Sequence, residues 1–90
     1  VVKLAEVSRK QQVGEGHFHS LSEVPTHAIT LTIPALLAPR TILCIVPETR
    51  KAEAVRSCLK EPVSEKTPGS ILRTLKHARL YLDSESSASL

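Results

Sequence analysis

Aromatic side chains are almost missing from this 90-residue chain: Phe18 and Tyr81 are the only two, and there is no tryptophan. Any core is therefore aliphatic, and the chain offers no row of rings on which the bases of a single-stranded nucleic acid could stack. Long apolar runs are missing as well. The longest without proline, Ile42 to Val46, which Pro47 follows, falls far short of the ~18–20 residues that a membrane-spanning helix requires. The first twenty residues lack the apolar centre and small-residue cleavage site of a signal peptide. The chain begins Val1-Val2-Lys3 without a methionine, and reads as cytoplasmic or as a piece of a longer polypeptide. Aspartate is nearly absent too, with Asp83 the single example. Carboxylates for general acid and base work are thus in short supply, and neither a G-x-S-x-G elbow nor a glycine-rich phosphate loop ending in Gly-Lys-Ser/Thr occurs. Only two cysteines are present, Cys44 and Cys58, without a C-x-x-C pair. A disulfide scaffold is not expected, and Cys44, inside the apolar run, reads as a small buried hydrophobe.

What is present fits one small domain. Apolar residues make up 41% and charged residues 23%, close to the globular average and too apolar for a disordered chain. A chain this short buries roughly 60–65% of its unfolded surface, enough for one small core. Twelve Lys and Arg against nine Asp and Glu give a net charge of +3. The cations are scattered rather than clustered, so the balance suits a small anionic metabolite better than nucleic acid. His17, His19 and His27 could supply imidazoles, but no carboxylate or cysteine completes a metal-ligand spacing, so no metal is expected.

The patterning alternates between strand and helix. Ala5 to Val13 reads as a polar surface helix broken by Gly14-Glu15-Gly16. Ile29, Leu31 and Ile33 alternate with Thr30 and Thr32, which predicts a half-buried strand over 27–33. Pro34 suits the start of a short helix, 35–37, that Pro39 ends. The continuous apolar run 41–46 predicts a strand covered on both faces, as in a parallel sheet. An amphipathic helix follows over 50–59 with Thr49 as N-cap. Thr67-Pro68 opens a short helix through Leu75, and 78–83 alternates as a further strand. Two strand-helix-strand units of this kind imply right-handed crossovers. The expected fold class is α/β, the C-terminal part of a doubly wound parallel-sheet domain.

The most informative passage is the strand, turn and helix from Ile42 to Leu59. Ligands of open α/β sheets bind beyond the carboxyl ends of the strands, and a helix start offers N–H groups and positive dipole to an anion. Arg50 and Lys51 fall in that first turn, where cations oppose the dipole unless an anion lies between them. The turn Pro47 to Arg50 with Lys51 is therefore a candidate phosphate site.

Several stretches together resemble the glucosamine-6-phosphate deaminase (isomerase) family. They are Gln11-Gln12-Val13-Gly14-Glu15-Gly16-His17-Phe18, Val24 to Leu37, Ile42 to Pro47, Arg50-Lys51-Ala52-Glu53-Ala54-Val55, Glu61-Pro62-Val63-Ser64, Ser70-Ile71-Leu72-Arg73 and Leu80 to Asp83. The Lys-Ala-Glu-Ala segment is shared with the related 6-phosphogluconolactonases; the Gln-Gln and Ser-Ile-Leu-Arg pieces favour the deaminase branch. The resemblance implies a three-layer Rossmann-like fold, with 1–90 as the C-terminal segment of a single, incomplete domain, and no cofactor. The implied reaction converts an amino-sugar 6-phosphate to fructose 6-phosphate and ammonia. The family's phosphate-binding lysine falls on Lys51, with Arg50 and Thr49 beside it. Its catalytic carboxylates and histidine belong to segments before Val1, so this chain is expected to carry no catalytic residue. Many members have an arginine before the phenylalanine of the first loop; His17 stands there instead, and the N–H groups of Gly14 and Gly16 are the expected substitutes. A missing N-terminal half or a homo-oligomeric partner is expected to complete the site. The rival readings are a 6-phosphogluconolactonase-like hydrolase and a non-catalytic sugar-phosphate-binding domain.

Overall fold

A computed structural model describes residues 1–90 as two compact units, Val1–Leu36 and Leu37–Leu90. In the first, β1 (Val2–Lys3) pairs antiparallel with β2 (His27–Ala28), in the register Val2↔Ala28 and Lys3↔His27. Between them, α1 (Glu6–Gly14) is a surface helix with no buried residue, as its polar sequence dictates. It stops at Gly14-Glu15-Gly16, where Gly16 takes φ +81° and donates its N–H to the Val13 carbonyl at 3.0 Å. That left-handed conformation is easy only for glycine. Arg9 reaches from α1 to the carbonyls of Leu21 (2.9 Å) and Val24 (3.0 Å), bracketing a short 3-10 turn at Leu21–Glu23. Two backbone acceptors are thereby satisfied beside Val24, which is only 3% exposed.

Two expectations fail in this unit. The strand over 27–33 is only two residues long, because Ile29 and Leu31 are exposed and nothing pairs with them. Alternation alone forms no strand without a ladder partner. The chain enters α2 (Ile33–Leu37) instead, with Thr32 Oγ1 accepting the Ala35 N–H at 3.4 Å and Pro34 in the first turn. The first strand-helix-strand unit is consequently antiparallel and not a parallel crossover.

The second unit carries the parallel pair. Strand β3 (Ile42–Val46) runs parallel to β4 (Ala78–Leu82), from Ile42↔Ala78 to Val46↔Leu82. The connection contains a 3-10 turn at Thr49–Lys51, α3 (Ala52–Lys60) and a second 3-10 stretch at Pro68–Thr74. Ala52 and Val55 of α3 are buried, as its apolar face requires. The helix and the second 3-10 stretch approach closely at Gly69, where an added Cβ would lie 2.9 Å from Cys58 Sγ. Arg73 donates to the carbonyls of Cys58 and Glu61, closing the end of α3. Ser70 is fully buried, its hydroxyl bound to the Ser64 backbone.

The expected double cover of β3 is absent. Ile42, Cys44 and Val46 are half-buried, but Leu43 and Ile45, on the opposite face, are 58% and 70% exposed. Side chains alternate across a strand, so an unbroken apolar run signals two apolar faces without stating that this chain fills both. Val55→Ala is accordingly expected to lower the stability of the 90-residue chain by about 2 kcal/mol, and Ile45→Ala by less than about 0.5 kcal/mol. Urea unfolding of both variants checks this, and equal losses would contradict the assigned burial.

Candidate functional site

The carboxyl ends of β3 and β4 lie side by side because the strands are parallel and in register. Residues just after each strand therefore meet, although 35 positions separate them. After β3, Glu48 adopts φ +77°, the one non-glycine residue with positive φ. Such backbone costs of order 1–3 kcal/mol and persists only where its surroundings hold it. The holding contacts are present. Asp83 Oδ2 accepts the Glu48 N–H at 3.0 Å, and the Glu48 carbonyl accepts the Lys51 N–H at 3.1 Å. The Glu48 carboxylate takes Arg50 Nε at 3.2 Å and Nη2 at 2.8 Å, while the Thr49 hydroxyl donates to Glu85 Oε2 at 3.3 Å.

Thr49 is thus not the N-cap that the sequence suggested. The residue before α3 is Lys51, without a side-chain cap, and a 3-10 turn separates Thr49 from the helix. The 3-10 turn that follows the left-handed Glu48 places three residues, Thr49 to Lys51, ahead of the helix, so the Thr49 hydroxyl does not stand at the cap position.

Asp83 is itself firmly seated. Its Oδ1 accepts the Ser86 N–H at 2.7 Å, its own N–H donates to Ser86 Oγ at 3.1 Å, and Ser86 is fully buried. The N–H groups of Ser86 and Glu48 hold its carboxyl below the ordinary aspartate value, since they bind only the charged form well. Burial pushes the Cys58 thiol upward, with Cys44 and Glu61 adding to the shift, and both cysteines are free. Cys58 is accordingly a poor nucleophile at neutral pH.

Of the sequence candidates, Thr49, Arg50 and Lys51 form one continuous turn at the strand ends; Thr49 and Arg50 are exposed and Lys51 is half-buried. Gly14 and Gly16 lie at the end of α1 in the first unit, where the Gly16 N–H is taken by Val13. An open depression of about 530 Å3, lined by Glu61, Pro62, Ser64, Glu65, Lys66 and Thr67, includes none of these candidates. No three His, Cys, Asp or Glu side chains gather in metal-binding geometry. The sequence reading overlooked Glu48 and Glu85 and gave Asp83 no place in the site. The signal that finds them is the rule that residues following adjacent parallel strands converge.

No family model matches the chain. Curated proteins do: it is 34% identical over 90 residues to a glucosamine-6-phosphate deaminase of Exiguobacterium sibiricum, covering all of this chain and 35% of that one. It is 36% identical over 83 residues to the enzyme of Oceanobacillus iheyensis, covering 92% of this chain and 32% of that one. Its relatives are glucosamine-6-phosphate deaminases. Among solved structures, a monomeric glucosamine-6-phosphate deaminase of the NagB superfamily superposes with TM-score 0.88 at 31% identity, over 99% of this chain and 36% of that chain. The chain spans about a third of the length of the deaminases that it matches. The mixed α/β architecture with a parallel pair is that of the corresponding deaminase segment.

The depressed Asp83 value fixes a sign. A carboxylate that resists protonation more in the folded than in the unfolded state stabilises the fold above the unfolded value, and that contribution is lost as pH falls through the folded one. The Tm difference between wild type and Asp83→Asn is expected to be present at neutral pH and to shrink as pH falls below the ordinary aspartate value and through the lowered folded one. A difference independent of pH in a thermal-melt series would contradict the assignment.

Proposed function

We propose that residues 1–90 are the phosphate-binding, C-terminal segment of a glucosamine-6-phosphate deaminase, within a three-layer Rossmann-like domain. The whole enzyme would convert an amino-sugar 6-phosphate to fructose 6-phosphate and ammonia. The observation that carries this reading is the Thr49-Arg50-Lys51 turn, which sets two cations and a hydroxyl beyond the carboxyl end of the parallel pair and at the start of α3. The similarity to deaminases over the full chain supports it.

The chemistry of the turn suits a phosphate dianion. Cations at a helix start work against the helix dipole, and an anion bound there reverses the sign of that local interaction. Lys51 serves as a point charge towards phosphate; Arg50 offers a planar fork. That fork is held by Glu48, so phosphate must compete with a carboxylate for Arg50. Enolisation and loss of ammonia are assigned to parts of the deaminase outside this segment. The isolated segment is accordingly expected to bind sugar phosphate weakly and release no ammonia from it.

Titration of the 90-residue chain with glucosamine 6-phosphate tests the reading. Lys51→Ala is expected to weaken binding by about tenfold, the scale of one charge-assisted contact. Glu48→Gln, which releases Arg50, is expected to tighten it about two- to threefold. Unchanged affinity in Lys51→Ala would remove the phosphate assignment.

A further inference from the structure

We propose that Asp83 is the positioning residue of the anion-binding turn: its carboxylate holds the Glu48 peptide in the left-handed region and so sets the direction in which Thr49, Arg50 and Lys51 leave β3. The inference rests on the phosphate reading given above and adds a residue that the reading does not use. Three observations carry it. Glu48 has a conformation that a residue with a Cβ rarely adopts. Its N–H ends on Asp83 Oδ2, and its carbonyl is bound by Lys51 N–H, so the strained peptide is fixed on both sides. Asp83 is fixed in turn, with its N–H on the buried Ser86 hydroxyl and its carbonyl accepting the Ser87 hydroxyl at 2.8 Å. A continuous path of hydrogen bonds therefore runs from the end of β4, through Asp83 and Glu48, to the backbone of Lys51.

Aspartate is suited to this place and asparagine is not. The two carboxylate oxygens accept from two different N–H groups, Ser86 on Oδ1 and Glu48 on Oδ2. An asparagine of the same shape has one accepting oxygen, and its NH2 would face an N–H donor. Charge alone predicts the opposite outcome to positioning. Removing a negative charge beside an anion site strengthens phosphate binding, whereas releasing the Glu48 peptide weakens it.

The sign of the effect is thus the test. The 90-residue chain and its Asp83→Asn, Glu48→Gln, Ser86→Ala and Lys51→Ala variants are titrated with inorganic phosphate and with glucosamine 6-phosphate, and the Glu48 amide is followed by 1H–15N NMR. Two neutralised carboxylates of one turn should act in opposite directions. Asp83→Asn is expected to weaken binding about fivefold with an upfield shift of the Glu48 amide proton, and Glu48→Gln to strengthen it. Ser86→Ala keeps the Ser86 N–H bond to Asp83 Oδ1 but removes the hydroxyl that fixes the Asp83 backbone, and is expected to weaken binding and shift the Glu48 amide in the same direction as Asp83→Asn, but less. Equal or tighter binding by Asp83→Asn, alongside a clear loss in Lys51→Ala, overturns the positioning role and leaves the phosphate reading intact. A Ser86→Ala loss matching that of Asp83→Asn, with the Glu48 amide unmoved, also overturns it. No binding by wild type removes both proposals together.

Discussion

The parallel pairing of β3 with β4 is the interaction from which the rest follows. Five residue pairs in register bring two chain segments far apart in sequence to the same end of the sheet, and place every feature of the candidate site there. A parallel pair needs a long connection, because the chain must return to the same end before the second strand begins. Here the connection contains α3 and the second 3-10 stretch, and their packing buries Ala52, Val55 and Ser70. The element that covers one face of the sheet is the same one whose start carries the candidate site. Fold and function share a cause.

Burial in this chain is sparse. Val24, Ala52 and Val55 are the buried apolar residues, while Leu43, Ile45 and Tyr81 leave one face of the β3–β4 pair uncovered. Parallel sheets are normally covered on both faces, and the solved deaminase that this chain resembles is nearly three times its length. The sequence of β3 is written for a strand with two apolar neighbours. Only one of them is encoded between Leu37 and Leu90.

Charges of both signs meet at the turn, with the acids one in excess. Arg50 and Lys51 share the turn with Glu48, Asp83 and Glu85, and each acid has a specific polar partner there. Glu48 holds a cation, Asp83 holds a backbone amide, and Glu85 holds a hydroxyl. Two cations against three acids leave the turn acidic by one charge, and each of the three acids is engaged in a hydrogen bond within it. In that arrangement the Arg50 guanidinium is already engaged by Glu48, and Lys51 is half-buried.

The sequence by itself determined the local elements whose causes are local: α1 from its polar composition and glycine stop, the start of α2 from Pro34, β3 from its apolar run, β4 from its alternation, and the placement of Arg50 and Lys51 after β3. It also carried the resemblance that the deaminase relatives bear out. Where a partner from elsewhere in the chain decides, local signals misled. The alternation at 29–33 produced no strand because no ladder partner faces it, and Thr49 did not cap α3 because a 3-10 turn, entered from the Glu48 peptide that Asp83 holds, intervenes before the helix. The positive φ of Glu48 and the role of Asp83 belong to the tertiary structure alone. Each is set by a hydrogen bond between residues 35 apart, and that contact exists only once the two strands have paired.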